Sequence, residues 1–194
     1  MEHKNKVQHP VYSNNVIEFV TVAAEYCAFL EKCGSIDTRA FLEKMTKIAP
    51  LLYLKVSMLP NFDEYSELEI RQFVTEDEYE FIHEQVSSAI GQFDEYLEVF
   101  HPDMQYSDTP VIAYISEDLT DIYQDLKDMI ANFQSAELEI MNDALLDCST
   151  TFKEYWGQKL LNATKAMHNV LYSADLEAEN NNSLQKQDDL DDWV

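Results

Sequence analysis

The stretch Ala136–Ser173, AELEIMNDALLDCSTTFKEYWGQKLLNATKAMHNVLYS, carries the longest helical pattern of the chain. Apart from the step from Tyr155 to Leu160, its apolar residues recur every three or four positions, the spacing that places side chains on one face of an α-helix. They are Leu138, Met141, Leu145, Cys148, Phe152, Tyr155, Leu160, Ala163, Met167 and Val170. Gly157 and the run Ser149-Thr150-Thr151 are the expected places for a bend. We predict a long C-terminal helix that forms the spine of an all-α bundle.

Shorter stretches with the same spacing precede this one. Residues that can cap a helix stand before them: Asn14 and Asn15, Asp37, Thr75 with Glu78 three positions on, and Ser116. Pro50 predicts a break in the second helix, because proline cannot donate its backbone hydrogen bond. Gly91 is the expected end of the third helix. Residues 92–110 hold two prolines and no helical period, which predicts a long connection. We expect one all-α domain of about six helices over residues 1–174, and a disordered acidic tail over residues 175–194.

The composition agrees with a helical domain and restricts its partners. Only three of 194 residues are glycine, which argues against turn-rich all-β folds. The 37 acidic and 13 basic residues give a net charge of −24, and such a protein repels nucleic acids and anionic membranes. Three scattered cysteines form no disulfide framework, and the first ten residues have no apolar core of a signal peptide. We therefore expect a cytoplasmic protein.

The negative charge is concentrated in the middle of the chain. Residues 61–147 contain 23 acidic and two basic residues, which is −21 of the net −24. The simplest interpretation is that basic helices pack beside acidic ones, while the excess charge keeps the protein in solution. The alternative is that this negative surface binds a basic partner or cations.

The candidate binding residues are Asp118, Asp121, Asp125, Trp156 and His168. The three aspartates, with Asp128, follow one helix face at spacings of three, four and three. Such carboxylates can bind a divalent cation when a second helix adds ligands, but they more often form a solvated face. Trp156 beside Gly157 indicates either close helix packing over the indole or a notch for a ligand. His168 is interpreted as a half-buried, hydrogen-bonded histidine.

No motif for catalysis or for a bound cofactor is found in the sequence. It contains no Gly-x-Ser-x-Gly elbow, no lysine-bearing phosphate loop and no calcium loop of the EF-hand type. Two Glu-x-x-His units begin at Glu80 and Glu98, and on one continuous helix they would lie about 27 Å apart, too far to share a metal. We therefore predict no catalytic residue, no metal ligand set and no cofactor.

Two segments together resemble a bacterial family of domains of unknown function, number 5063. They are Ser116–Lys127 (SEDLTDIYQDLK) and Tyr155-Trp156-Gly157 followed by Leu160, Ala163 and His168, and Glu98-Val99-Phe100 before Pro102 also fits. The resemblance covers about Asn15–Tyr172 and implies a small, mostly helical domain with no established activity. It also implies a histidine at position 159 and an acid at position 162. This chain has Lys159 and Asn162, so a metal or acid–base site built on those two positions is not expected.

Two functional hypotheses follow from the sequence. The first is a non-enzymatic cytoplasmic interaction domain that binds a basic protein partner through its acidic surface or a helix groove. The second is an enzyme or divalent-metal-binding protein with a pocket near Asp118, Asp121, Trp156 and His168. A concave pocket that joins these four residues would favour the second hypothesis, and outward-facing carboxylates would favour the first. The oligomeric state is not indicated.

Overall fold

A computed structural model describes residues 9–65, 70–98 and 111–178. The main elements of these residues are six α-helices and a two-stranded antiparallel sheet. In chain order these are α1 (Asn14–Leu30), α2 (Thr38–Ser57), α3 (Glu76–Ile90), β1 (Glu95–Glu98), β2 (Val111–Tyr114), α4 (Ile115–Phe133), α5 (Leu138–Thr151) and α6 (Gly157–Leu171). A π-helical turn, Phe152–Trp156, joins α5 to α6 into one long C-terminal helix. The predicted helical bundle is confirmed. None of the described helices has the length and apolar character needed to cross a bilayer.

Helix α4 lies at the centre of the bundle, because it packs against α1, α3, α5 and α6. Helix α2 packs on the outer side, against α1 and α6. The core takes its largest fully buried side chains from most of the helices: Phe19, Tyr26, Phe41, Ile82, Leu119 and Trp156. The Tyr26 hydroxyl donates to the Leu119 carbonyl at 2.8 Å, so this buried polar atom is satisfied.

Three of the predicted helix ends are confirmed by their local hydrogen bonds. Asp37 accepts from the third residue of α2 at 3.2 Å. Thr75 and Glu78 form a reciprocal capping box at the start of α3. Gly91 ends α3 with a φ of 60°, a value that glycine adopts without a steric penalty. These signals are local in sequence, which is why they could be identified there.

The predicted cap at Ser116 is wrong, because Ser116 is the second residue of α4 and is fully buried. Its cap comes from Asp94, which directly precedes β1. One Asp94 carboxylate oxygen accepts the Ser116 N–H at 2.7 Å, and the other accepts the Ser116 hydroxyl at 2.6 Å. The Ser116 hydroxyl also lies 3.2 Å from Nε2 of His83. A capping residue 22 positions away has no local pattern, so the sequence did not reveal it.

The predicted break at Pro50 is also wrong, since α2 continues from Thr38 to Ser57. Pro50 is exposed, whereas Met45, Ala49, Leu52 and Val56 are buried on the other side of the helix. Packing therefore holds both halves of α2 in line, and the hydrogen bond that proline cannot make is lost on the face where water can replace it.

The connection predicted after Gly91 contains a strand, because β1 pairs with β2 with Leu97 opposite Ile112. Each strand has only four residues, too few for a two-residue alternation to stand out in sequence. Residues 99–110 lie outside the described residues. The boundary of the tail is also corrected: residues 174–178 are helical, and Leu176 is only 1% exposed. The remaining tail, residues 179–194, lies outside the described part of the chain.

The predicted bend in the C-terminal helix takes the form of the π-helical turn. The Gly157 N–H donates to the Phe152 carbonyl, five residues earlier. A Cβ atom on Gly157 would lie 2.4 Å from that carbonyl oxygen and 2.8 Å from the Phe152 ring. The close approach that Gly157 permits is therefore within its own helix.

Candidate functional site

Asp118 and Asp121, one turn apart on α4, hold a lysine of α6 between them. Nζ of Lys159 lies 3.0 Å from Oδ1 of Asp118 and 2.8 Å from Oδ2 of Asp121. The side chains of the two aspartates are 6% and 16% exposed, and that of Lys159 is 24% exposed. The interpretation of a solvated acidic face is therefore wrong for these two residues. Here a basic helix does pack beside an acidic one.

Three tyrosine hydroxyls donate to the same two carboxylates. Tyr79 of α3 donates to Oδ1 of Asp121, and Tyr155 of the π-helical turn donates to Oδ2, each at 2.6 Å. Tyr96 of β1 donates to Oδ2 of Asp118. We call these six residues the polar network: Tyr79, Tyr96, Asp118, Asp121, Tyr155 and Lys159. The network ties α3, the strand pair, α4 and the C-terminal helix together.

The electrostatics of the polar network keep its lysine and tyrosines protonated. Burial by itself would lower the pKa of Lys159, but hydrogen bonds and charges of Asp121 and Asp118 raise it well above its ordinary value. Burial and the neighbouring carboxylates raise the pKa of Tyr155 to about 12, and those of Tyr79 and Tyr96 further. A lysine that stays an ammonium is no nucleophile, and phenols that stay protonated are poor bases at neutral pH.

The two carboxyl groups of the network titrate differently. Burial tends to raise the pKa of Asp121, but hydrogen bonds from Lys159, Tyr155 and Tyr79 outweigh it and lower the pKa. At Asp118 burial outweighs the hydrogen bonds from Tyr96 and Lys159, and the pKa is raised. Asp118 is therefore the first carboxylate of the pair to take up a proton as the pH falls.

Beside the polar network an open groove runs between α4 and α5, and residues 64, 71 and 72 also line it. Its cavity volume is about 1190 Å³. Six acidic side chains and one arginine line it: Glu64, Asp121, Asp125, Asp128, Asp143, Asp147 and Arg71. Buried Met129 and Ala144, together with the partly buried Ile70, provide an apolar floor. We call this feature the acidic groove.

Two carboxylates of the acidic groove hold the connection between α2 and α3 in place. Asp128 accepts the backbone N–H groups of Phe73 and Val74 at 2.7 and 2.9 Å. Asp143 accepts the backbone N–H of Tyr65 at 3.1 Å. These two aspartates thus have structural tasks at the rim of the groove.

Asp125 and Asp147 differ from Asp128 and Asp143, because neither accepts a backbone N–H group of a described residue, and neither forms an ion pair with one. Burial is the main cause that raises the pKa of Asp125 to about 6; the charge of Asp147 adds to it, and a hydrogen bond with Thr151 opposes it. Burial also raises the pKa of Asp147, and the charge of Asp128 adds to it. The groove thus contains carboxylates that a cation would stabilise.

Replacing Asp125 with asparagine should therefore stabilise the protein at pH 8. The folded-state pKa lies above the unfolded value, so the stability contribution of Asp125 is lost as the pH rises through about 6. We expect asparagine to add about 1–2 kcal/mol to the free energy of unfolding at pH 8. One unit of pKa difference between the folded and unfolded states corresponds to about 1.4 kcal/mol, and partial solvation of the carboxylate reduces the effect of the whole difference. At pH 4 the gain should vanish. Urea unfolding at both pH values measures this, and a gain that persists at pH 4 would contradict the assignment.

The remaining sequence candidates lie apart from the groove. Trp156 is fully buried, its Nε1 donates to the Thr151 hydroxyl at 3.1 Å, and its ring packs against Phe152. His168 is exposed on the last turn of α6, with its ring 4.8 Å from that of Tyr172, so the half-buried histidine was a wrong expectation. The structure brings Asp118 and Asp121 together and places Asp125 beside Asp121 in the groove. It leaves Trp156 in the core and His168 at a distance.

The places where a cation could bind to the polar network are taken by the protein's own groups. Lys159 occupies the space between the two aspartates, and Asn162 donates to Oε1 of Glu98 at 3.2 Å. The described residues contain no group of three or more histidine, cysteine or acidic side chains arranged to hold a metal ion. Of the two Glu-x-x-His units, Glu80 is exposed and His101 lies outside the described residues.

Comparison with known proteins agrees with this fold. The profile of a family described as "Domain of unknown function (DUF5063)" matches residues 10–173. The chain is also similar to the crystal structure of protein BF1032 from Bacteroides fragilis, with a TM-score of 0.76 and 44% sequence identity. That likeness covers 84% of this chain and 96% of the other. No curated protein matches the sequence.

Proposed function

Because the chain belongs to the DUF5063 family of domains of unknown function, we propose a function from its own residues: it is an interaction domain without catalytic activity. Its acidic groove binds a lysine- or arginine-bearing segment of a protein partner. The cytoplasm is the proposed compartment, supported by three cysteines that are all free thiols: Cys27, Cys33 and Cys148.

The observation that carries this proposal is the pairing of unneutralised carboxylates with an apolar floor. A long cationic side chain buries its aliphatic stem on apolar surface while its charged end stays polar. In the acidic groove the partly buried Ile70 and Leu146 offer surface for the stem, and Asp125 and Asp147 offer acceptors for the charge. A bare metal ion would not use the apolar floor, so a basic side chain fits the groove better.

The alternative, an enzyme or metal-binding protein with a pocket near Asp118, Asp121, Trp156 and His168, has less support. Lys159 and tyrosine hydroxyls already occupy the oxygens of both aspartates. Trp156 has no exposed surface, and His168 lies about two and a half turns from Lys159 along α6. We therefore place the proposed binding site in the acidic groove and not at these four residues.

Peptide binding tests this function. The probes are fluorescein-labelled peptides of alternating lysine and serine, or arginine and serine, and the readout is fluorescence anisotropy. The variant Asp125→Asn/Asp147→Asn should bind at least threefold more weakly than the unchanged protein, because the two acceptors lose their charge. A matched control, Glu80→Gln/Glu84→Gln, changes the net charge equally on the exposed face of α3.

The control separates a groove from general attraction to a protein of net charge −24. If the groove binds the peptide, the control variant keeps the affinity of the unchanged protein. Equal losses in both variants would assign the binding to long-range charge alone and would contradict the proposal. Absence of binding at low salt, where surface attraction is strongest, would contradict it as well.

A further inference from the structure

The exposed face of α2 changes from basic to apolar along its length. Five side chains, spaced three and four apart, share this face, and we call them the α2 stripe: Lys44, Lys47, Leu51, Leu54 and Met58. Leu51 is 43% exposed, Leu54 51% and Met58 44%. Single exposed apolar side chains are common on protein surfaces, but Leu51, Leu54 and Met58, the last of them just past the end of α2, form a continuous apolar patch.

The α2 stripe lies in the part of the chain that escapes the general negative charge. The first 60 residues contain six acidic and seven basic residues, whereas residues 61–147 carry a net charge of −21. The Lys44 ammonium lies 4.3 Å from the centre of the Phe29 ring, and Glu43 is the acidic neighbour on this side of the helix. An acidic ligand with apolar side chains would meet attraction here and repulsion at the acidic groove.

One segment of the chain itself has this chemistry. Residues 188–194, DDLDDWV, place Leu190, Trp193 and Val194 among four aspartates, and they lie outside the described residues. Their carboxylates complement Lys44 and Lys47, and their apolar side chains complement the remaining part of the α2 stripe.

The chain is long enough to make this contact. The Phe152 ring lies 5.1 Å from that of Tyr53, the neighbour of Leu54. From Phe152 to residue 178, where the description ends, the helical chain spans at most about 39 Å. The next 15 residues, up to Trp193, reach about 50 Å when extended. The segment can therefore return along the bundle to α2.

We propose that residues 188–194 bind the α2 stripe of their own chain, with aspartates beside Lys44 and Lys47 and with Trp193 on Leu51 and Leu54. This contact covers an apolar patch with an internal ligand. An external acidic and apolar segment would have to displace that ligand to reach α2.

Tryptophan fluorescence of the full chain tests this contact. Trp156 is fully buried, and the signal of Trp193 is obtained by subtracting the fluorescence of the Trp193→Phe variant from that of the unchanged chain. Acrylamide should quench Trp193 at least threefold less efficiently in the unchanged chain than in Leu54→Asp or Lys47→Glu. The matched control is Ile112→Asp on the strand pair, where the native side chain is 51% exposed, as at Leu54. This control variant should leave Trp193 protected from acrylamide.

Each other outcome overturns the proposal. If acrylamide quenches Trp193 equally in the unchanged chain and in Leu54→Asp, Trp193 does not bind the α2 stripe. If the protection of Trp193 from acrylamide disappears on dilution, the α2 stripe binds a second copy of the chain, because a contact within one chain is independent of concentration. If Ile112→Asp exposes Trp193 to acrylamide as much as Leu54→Asp does, the loss is not specific to the α2 stripe.

Discussion

Replacing Asp121 with asparagine is expected to lower the free energy of unfolding by about 3 kcal/mol, as is usual when one partner of a largely buried ion pair is removed. The change would leave the Lys159 ammonium, whose side chain is only 24% exposed, with Asp118 as its single counter-charge. It would also weaken the hydrogen bonds that Tyr79 and Tyr155 donate, because a neutral amide oxygen accepts less strongly than a carboxylate.

Urea unfolding measures this loss, with Glu84→Gln on the exposed face of α3 as the control, which should change stability by less than about 0.5 kcal/mol. The loss at Asp121 should persist in high salt, since salt screens buried pairs weakly. In the Asp121→Asn background, Lys159→Gln should cost much less than in the unchanged protein, because the two residues interact directly. A loss that salt abolishes would mean that the polar network is solvated.

Replacing Gly157 with alanine should destabilise the protein by about 2–3 kcal/mol, the size of effect found when a tightly packed site is overfilled. Inside an ordinary helix the same change would stabilise by about 1 kcal/mol. The sign reverses here because the new Cβ atom would lie 2.4 Å from the Phe152 carbonyl oxygen, which is backbone and cannot move without opening the π-helical turn.

Thermal unfolding measures this effect, and the near-ultraviolet circular dichroism of the adjacent Trp156 reports whether the turn has changed. The matched control is Gln158→Ala, an exposed position one residue later, where alanine should be neutral or slightly stabilising. If Gly157→Ala were as stable as this control, the π-helical turn would have to convert to α-helix at no cost, contrary to the packing of Phe152 against Trp156.

The sequence predicted those parts of the fold that depend on neighbouring residues. Helical spacing identified the helical stretches, although it divided α2 at Pro50 and joined α5 and α6 into one helix with a bend. The signals at Asp37, Thr75 and Gly91 located three helix ends. Contacts between distant residues decided the remainder. Asp94 caps α4 from 22 positions away, and packing on both sides of Pro50 keeps α2 continuous, so neither outcome is visible in a short window of sequence.

The candidate site was predicted in part for the same reason. The spacing of Asp118 and Asp121 indicated one helix face, but their partners come from α3, β1 and the C-terminal helix. Tyr155 stands in the apolar pattern of the C-terminal helix, and Tyr79 stands in that of α3 with Ile82 and Val86, a position typical of a core residue. A phenol serves both roles, since its ring packs while its hydroxyl reaches a carboxylate, and this double character is the signal that sequence reasoning missed.

The π-helical turn also sets the angular phase of the C-terminal helix. Each residue of an α-helix turns the following chain by about 100°. A π-helical turn accommodates one residue more than an α-helical turn would, so every side chain of α6 is rotated by about that angle from its position in an uninterrupted α-helix of the same sequence. If Phe152–Trp156 wound as an α-helix with all of its residues kept, Lys159 would turn by that angle away from Asp118 and Asp121, whereas deleting one of these residues would allow a regular α-helix that leaves Lys159 in place. The ion pair at the centre of the molecule therefore depends on a one-residue offset in the helix that carries it.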